Sequence, residues 1–160
     1  MKRLIVPFLV VLAGCGFQPV YAPGANHVSS AVISVEKIDG RSGYFLRQEL
    51  QKQLAIGLPG QEIPATLNVR LDERLGRLAF SPDGAASRSN INSSANYTLA
   101  MENDSLTGHV QATTTFAVPA QPYGDISAQT NASERNMRLL AKRIVDDIRL
   151  KKSTKNAPEG

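Results

Sequence analysis

The sequence predicts an α+β domain: a two-layer sandwich with two helices packed on one face of a four-stranded mixed sheet. Three observations predict it. Long stretches in the middle of the chain alternate apolar and polar residues, the period of strands with one buried face. Two other stretches repeat apolar residues at three- and four-residue spacing, the period of helices. Read in order they give β-α-β-β-β-α, and an apolar sheet face needs a second layer to cover it.

The first strand is "AVISVEKI", Ala31 to Ile38, rich in β-branched residues. Asp39-Gly40-Arg41-Ser42 is a break. A helix follows over Gly43 to Ile56, where Leu46, Leu50 and Leu54 share one face and Gly57 and Pro59 end it. Leu67, Val69 and Leu71 then alternate with Asn68, Arg70 and Asp72, and Leu75 keeps that parity. Leu78 and Phe80 break it, so a bulge near Gly76 is expected to return them to the buried face. Ser81-Pro82-Asp83-Gly84 reads as a turn with proline in its second position. The return strand, Ser87 to Met101, places Ile91, Ala95, Tyr97, Leu99 and Met101 on one face. Asn90, Asn92, Ser94, Asn96 and Thr98 take the other. After a polar turn at Glu102 to Ser105, the last strand directs Val110, Ala112, Thr114, Phe116 and Val118 inward, and Pro119 and Pro122 end it. Asn131-Ala132-Ser133-Glu134 has the spacing of a capping box. The helix behind it carries the clearest stripe, Met137, Leu140, Ala141, Ile144 and Ile148, with Arg138, Lys142 and Arg149 on a solvated face. Lys151 to Gly160 has no apolar period and is expected to be a flexible tail. The helical crossover makes the first strand parallel to a later one, and the remaining strands form an antiparallel meander.

Ahead of this domain, residues 31–150, the N-terminus has another purpose. Lys2 and Arg3 precede an apolar run, Leu4 to Ala13, the layout of a signal peptide over residues 1–14. The run is half the length that a membrane-spanning helix needs, roughly twenty residues. Leu12-Ala13-Gly14-Cys15 resembles the lipobox of bacterial lipoproteins. That resemblance implies cleavage before Cys15, a diacylglycerol on its thiol and an acyl group on the new amine. No other cysteine exists to pair with it. The other readings are a buried core cysteine, or a secretory signal whose cysteine is incidental. Gly16 at the next position, where aspartate would favour inner-membrane retention, implies export to the outer membrane by the same resemblance. Residues 15–30, with Pro19, Pro23 and Gly24, form a lipidated tether.

Removing residues 1–14 leaves 146 of the 160, one ordinary domain, and formal charge falls from +4 to +2 with the loss of Lys2 and Arg3. So balanced a chain gives no case for a nucleic-acid partner. His27 and His109 have no metal-ligand spacing with another histidine or cysteine, so no metal is expected. Asp72/Glu73 and Asp146/Asp147 are adjacent pairs, and neighbours on a strand or helix diverge. No nucleophile motif or phosphate loop is present, and catalysis is not expected. The acyl groups on Cys15 are the only non-protein groups expected.

Taken with the lipobox, "CGFQPVY" (Cys15 to Tyr21), "GYFLRQELQKQL" (Gly43 to Leu54), "ANYTLAMEN" (Ala95 to Asn103) and "ASERNMRLLAKRIVDDIRL" (Ala132 to Leu150) resemble the lipopolysaccharide-assembly lipoprotein family, LptE, in its alphaproteobacterial form. The resemblance implies an outer-membrane lipoprotein on the periplasmic face. Such a protein plugs the LptD β-barrel, assists its assembly and binds lipopolysaccharide during delivery to the outer leaflet. Barrel lumens are polar, and the Asn/Ser/Thr sheet face is polar too. Arginine is the residue expected at lipid A phosphates. Arg74, Arg77 and Arg88 on the long hairpin are the candidate contacts; the other reading makes them rim charges, solvated or paired with the barrel. The competing class is an auxiliary lipoprotein of an ABC-type lipid transporter.

Overall fold

The computed structural model describes residues 33–58 and 63–155. The expected signal segment, Cys15, the expected tether and the chain beyond Lys155 lie outside the described residues. The elements are β1 (Ile33–Val35), α1 (Gly40–Leu54), β2 (Ala65–Phe80), β3 (Ala86–Met101), β4 (Asp104–Ala117) and α2 (Pro122–Lys155). They are the expected α+β arrangement, two helices with a four-stranded mixed sheet ordered β1-β2-β3-β4. β1 runs parallel to β2, with Ile33 beside Ala65 and Val35 beside Leu67, and the other pairs are antiparallel.

Both helices press apolar stripes into one core. Leu46 and Leu50 of α1 and Met137, Leu140, Ile144 and Ile148 of α2 are fully buried against Leu67, Tyr97 and Leu99. Each such side chain contributes roughly 1.5–3 kcal/mol by leaving water. A smaller cluster of Ile91, Phe116 and Ala132 seals the hairpin end of α2.

Polar ties fix how α2 sits on the sheet. Asn136, wholly buried on the apolar stripe, donates to Ser93 Oγ at 2.7 Å and accepts from the Thr114 hydroxyl at 3.1 Å. At the end of the core stripe, beside Ile148, the Tyr97 hydroxyl donates to Asp147 Oδ2 at 2.5 Å, and Lys151 Nζ reaches the same oxygen at 2.7 Å. Burial, then the bond and charge of Asp147, push the Tyr97 pKa far above the ordinary tyrosine range. At Asp147, burial pushes upward, but the bonds from Lys151 and Tyr97 and the Lys151 charge outweigh it, and the carboxyl is held below its usual range. Gly108 lies opposite Tyr97 on β4, and a Cβ there would come within 2.4 Å of the ring, so the tyrosine needs that glycine.

α2 also covers the outer edge of β4. Arg143 donates to the Gln111 carbonyl and Lys151 to the Thr107 carbonyl at 2.9 Å, while Lys155 pairs with Asp104. These contacts carry the helix to Lys155, past the expected end at Leu150.

Four local expectations are corrected. α2 begins at Pro122, so Asn131 lies inside it and the capping-box reading of Asn131 to Glu134 fails. Proline needs no N–H donor at a first helical position, and Asp125 complements the helix dipole there. α1 starts at Gly40, three residues early, on a positive-φ glycine that lets the chain turn into it. The irregularity expected near Gly76 falls just beyond it: Gly76 stays in register opposite Asn90, and the register shifts between Arg77 and Phe80. Leu78 and Phe80 are therefore not returned to a core and are 53% and 62% exposed. Their stretch of β2 lies under neither helix, because α2 packs on β3 and β4 and α1 on α2 and β1. The β2–β3 turn forms as expected, closed by the Gly84 N–H donating to the Ser81 carbonyl at 2.8 Å.

Candidate functional site

Strand alternation turns the sheet's second face away from both helices, and the sequence decides its chemistry. On β3 this face carries Asn90, Asn92, Ser94, Asn96 and Thr98. Opposite them β4 presents Thr115, Thr113, Gln111, His109 and Thr107. All ten are amide, hydroxyl or imidazole side chains. Same-face neighbours recur about every 6.8 Å along a strand, so the patch runs for roughly 27 Å.

The face is knitted by its own hydrogen bonds. Asn92 Oδ1 accepts from the Thr113 hydroxyl at 2.9 Å and from Asn90 Nδ2 at 3.3 Å. Asn96 Oδ1 sits 2.9 Å from His109 Nδ1 and can only accept, so Nδ1 donates. His109 Nε2 then accepts from the Gln111 amide at 3.0 Å. Gly76 makes room for Asn90: a Cβ there would meet Asn90 Oδ1 at 2.3 Å, so the carboxamide lies across the bare backbone of β2. No side chain rises from that position. The result is a densely hydrogen-bonding surface with an open hollow over Asp72, Arg74, Asn92, Ser94, Gln111 and Thr113, suited to another polar surface.

Charge is confined to its margins. Arg70, Asp72 and Arg74 share the face on β2, and Arg74 Nε bonds Asp72 Oδ1 at 2.9 Å. Arg88 shares it at the hairpin end, two same-face steps along β3 from Asn92, which is the cross-strand partner of Arg74. Arg77 does not join them. It pairs with buried Ser89 and turns to the helix side, above a recess that Asp125 of α2 also lines. The structure thus puts Arg74 and Arg88 on one face and Arg77 on the other. His109, taken alone in the sequence, belongs to the face; its shared parity with Gln111 is the signal that finds it.

On the helix side, Glu73 accepts from Ser133 Oγ at 3.0 Å in a hollow lined by Arg41, Phe45 and Ile126. Among the described residues no group of three His, Cys, Asp or Glu comes together to hold a metal, and no helix is long and apolar enough to cross a membrane.

No family model matches the chain, and no curated protein does. Solved structures do. A chain designated a lipoprotein from Caulobacter crescentus CB15 superposes with a TM-score of 0.60 at 25% identity, over 78% of this chain and 93% of that one. Rare lipoprotein B from Shewanella oneidensis gives 0.61 at 9% identity, over 78% and 98%. A minor lipoprotein from Acinetobacter baumannii gives 0.56 at 13%, over 77% and 95%. The superposition spans nearly the whole of each of those chains. The domain carries the fold of a group of bacterial lipoproteins, rare lipoprotein B among them.

Proposed function

We propose that this chain is an outer-membrane lipoprotein of the LptE type, anchored through acyl groups on Cys15 at the periplasmic face. Its open sheet face seats in the polar lumen of the LptD barrel, where it plugs and assists assembly of the barrel and meets lipopolysaccharide in transit. The role is binding, not catalysis. The observation that carries this reading is the face of ten amide, hydroxyl and imidazole side chains, with no Asp, Glu, Lys or Arg among them. A wet lumen wall offers donors and acceptors of the same kind, and many modest bonds across such a face add together. Arg74 and Arg88, at the margin of that face, are the arginines placed to meet a lipid A phosphate, and Arg77 is not.

The test uses the full-length protein in mild detergent. Wild type is expected to recover a heat-modifiable outer-membrane barrel, and Ser94→Trp, a bulky change on the polar face, to recover much less at unchanged thermal stability. The pair Arg74→Glu and Arg88→Glu is expected to weaken binding of labelled lipopolysaccharide, while Arg77→Glu leaves it intact. Failure of the wild type to bring down any barrel overturns the plug reading. An inner-membrane ATPase complex in its place means a transporter auxiliary.

A further inference from the structure

The two edges of the sheet are unlike. On β4 the edge carbonyls of Thr107 and Gln111 accept from Lys151 and Arg143. On β2, β1 covers only Ala65 to Leu67. The Glu36 N–H donates to the Leu67 carbonyl at 3.0 Å, which fixes the direction of the Leu67 backbone groups, away from β3. Two-residue alternation points those of Val69, Leu71, Glu73 and Leu75 the same way. Among the described residues no strand lies beside them.

We propose that this edge pairs with the same edge of a second copy of the chain, antiparallel about a two-fold axis at Leu75. Proteins usually keep an open edge single with inward-pointing charges and irregular register. β2 has both, but its inward charges, Glu73 and Arg77, are opposite in sign and four residues apart. An antiparallel copy centred on Leu75 sets Glu73 against the second copy's Arg77, and by symmetry does so twice. Leu75, 43% exposed on the helix side of the sheet, meets itself. Arg74 meets Gly76, which offers no side chain to clash.

Neighbouring registers lack this fit. Centring on Arg74 stacks that arginine on itself, centring on Glu73 opposes two carboxylates, and centring on Asp72 opposes Arg70 with Arg74. The regular pairing spans Glu73 to Arg77 and stops where the register of β2 becomes irregular. A closed barrel has no free strand edge to supply, so the partner assigned is a second copy. This edge lies outside the polar face. A copy seated in a barrel lumen has its edge enclosed, so the pairing belongs to the domain outside the barrel. Barrel pull-down and sedimentation of the protein alone test the two readings separately.

Sedimentation of the full-length protein in detergent tests it. Wild type is expected to reach a dimer as concentration rises. Glu73→Arg or Arg77→Glu alone creates two like-charge pairs and is expected to raise the dissociation constant about tenfold or more. Combining the two restores the charge pattern with its sense reversed and is expected to recover the dimer, which separates pairing from any local damage at Glu73. Leu75→Cys in a Cys15→Ser background is expected to form an intermolecular disulfide, since hydrogen-bonded cross-strand Cα atoms lie about 5.5 Å apart, within disulfide reach. A wild type that stays monomeric overturns the proposal. So does a dimer that ignores the charge swaps or fails to cross-link at Leu75.

Discussion

Tyr97→Phe removes one oxygen atom and tests the energetics of the α2 contact. The ring stays: it is 2% exposed and packs over Gly108. What disappears is the 2.5 Å bond to Asp147, whose other partner, Lys151, remains at 2.7 Å. A hydrogen bond to a charged group contributes about 1.5–3 kcal/mol. The Asp147 and Lys151 side chains are 25% and 38% exposed, so water replaces part of the loss and the lower end applies. A cost of about 1.5 kcal/mol lowers the Tm of a domain this size by roughly 5–8 °C. The pH dependence gives a second readout. Folding raises the Tyr97 pKa above its unfolded value near 10, so its contribution is complete below about pH 10 and fades as pH rises beyond. Asp147 behaves oppositely: its folded pKa is lowered, and its contribution is present above the unfolded value and fades as pH falls through the folded one. Thermal melts of wild type and Tyr97→Phe from acid to alkaline pH should show the variant losing less stability at both ends. A cost under about 0.5 kcal/mol, or an alkaline limb identical to wild type, refutes the reasoning.

Ile144 is fully buried among α1, α2 and the sheet, and Ile144→Ala should cost about 2–5 kcal/mol in chemical denaturation. Cys15→Ala should abolish acylation and leave unprocessed precursor or soluble periplasmic protein; mass spectrometry finding unmodified Cys15 in the mature wild type would contradict the anchor.

The meander was legible because β3 alternates without error from Ile91 to Leu99, and such a strand has only one way to bury a face. α1 was legible from three leucines at four-residue spacing. The start of α2 was not, because Tyr123 and Ile126 are exposed and the small Ala128 and Ala132 do the packing there. Periodicity weighted by bulky residues misses such a turn, while Pro122 and Asp125 were the signals to weigh. Asn131 deceived because a capping residue and an exposed mid-helix asparagine look alike in sequence. At Gly76 the alternation broke for a reason that a single strand does not contain: no helix reaches that far across the sheet, so Leu78 and Phe80 have no core to rejoin. Within the candidate site, the Asn/Ser/Thr side of β3 and Gln111, Thr113 and Thr115 could be read directly. The separation of Arg77 from Arg74 and Arg88 required knowing where the register slips. Asn136 lay on the apolar stripe in plain view, but its partners on two strands appear only once the sheet is assembled.

The caps that Arg143 and Lys151 place on β4 decide how far any growth of the sheet can go. A strand that stacks on one edge and leaves an equivalent edge open propagates without limit, which is how fibres begin. Here a two-fold meeting of β2 edges would use up both open β2 edges at once and leave outside only the β4 edges and the three-residue β1 edges. Each β4 edge already has its Thr107 and Gln111 carbonyls answered by α2. Sheet extension would therefore close at two copies, and a chain held at high local density on a membrane could self-associate without seeding a polymer.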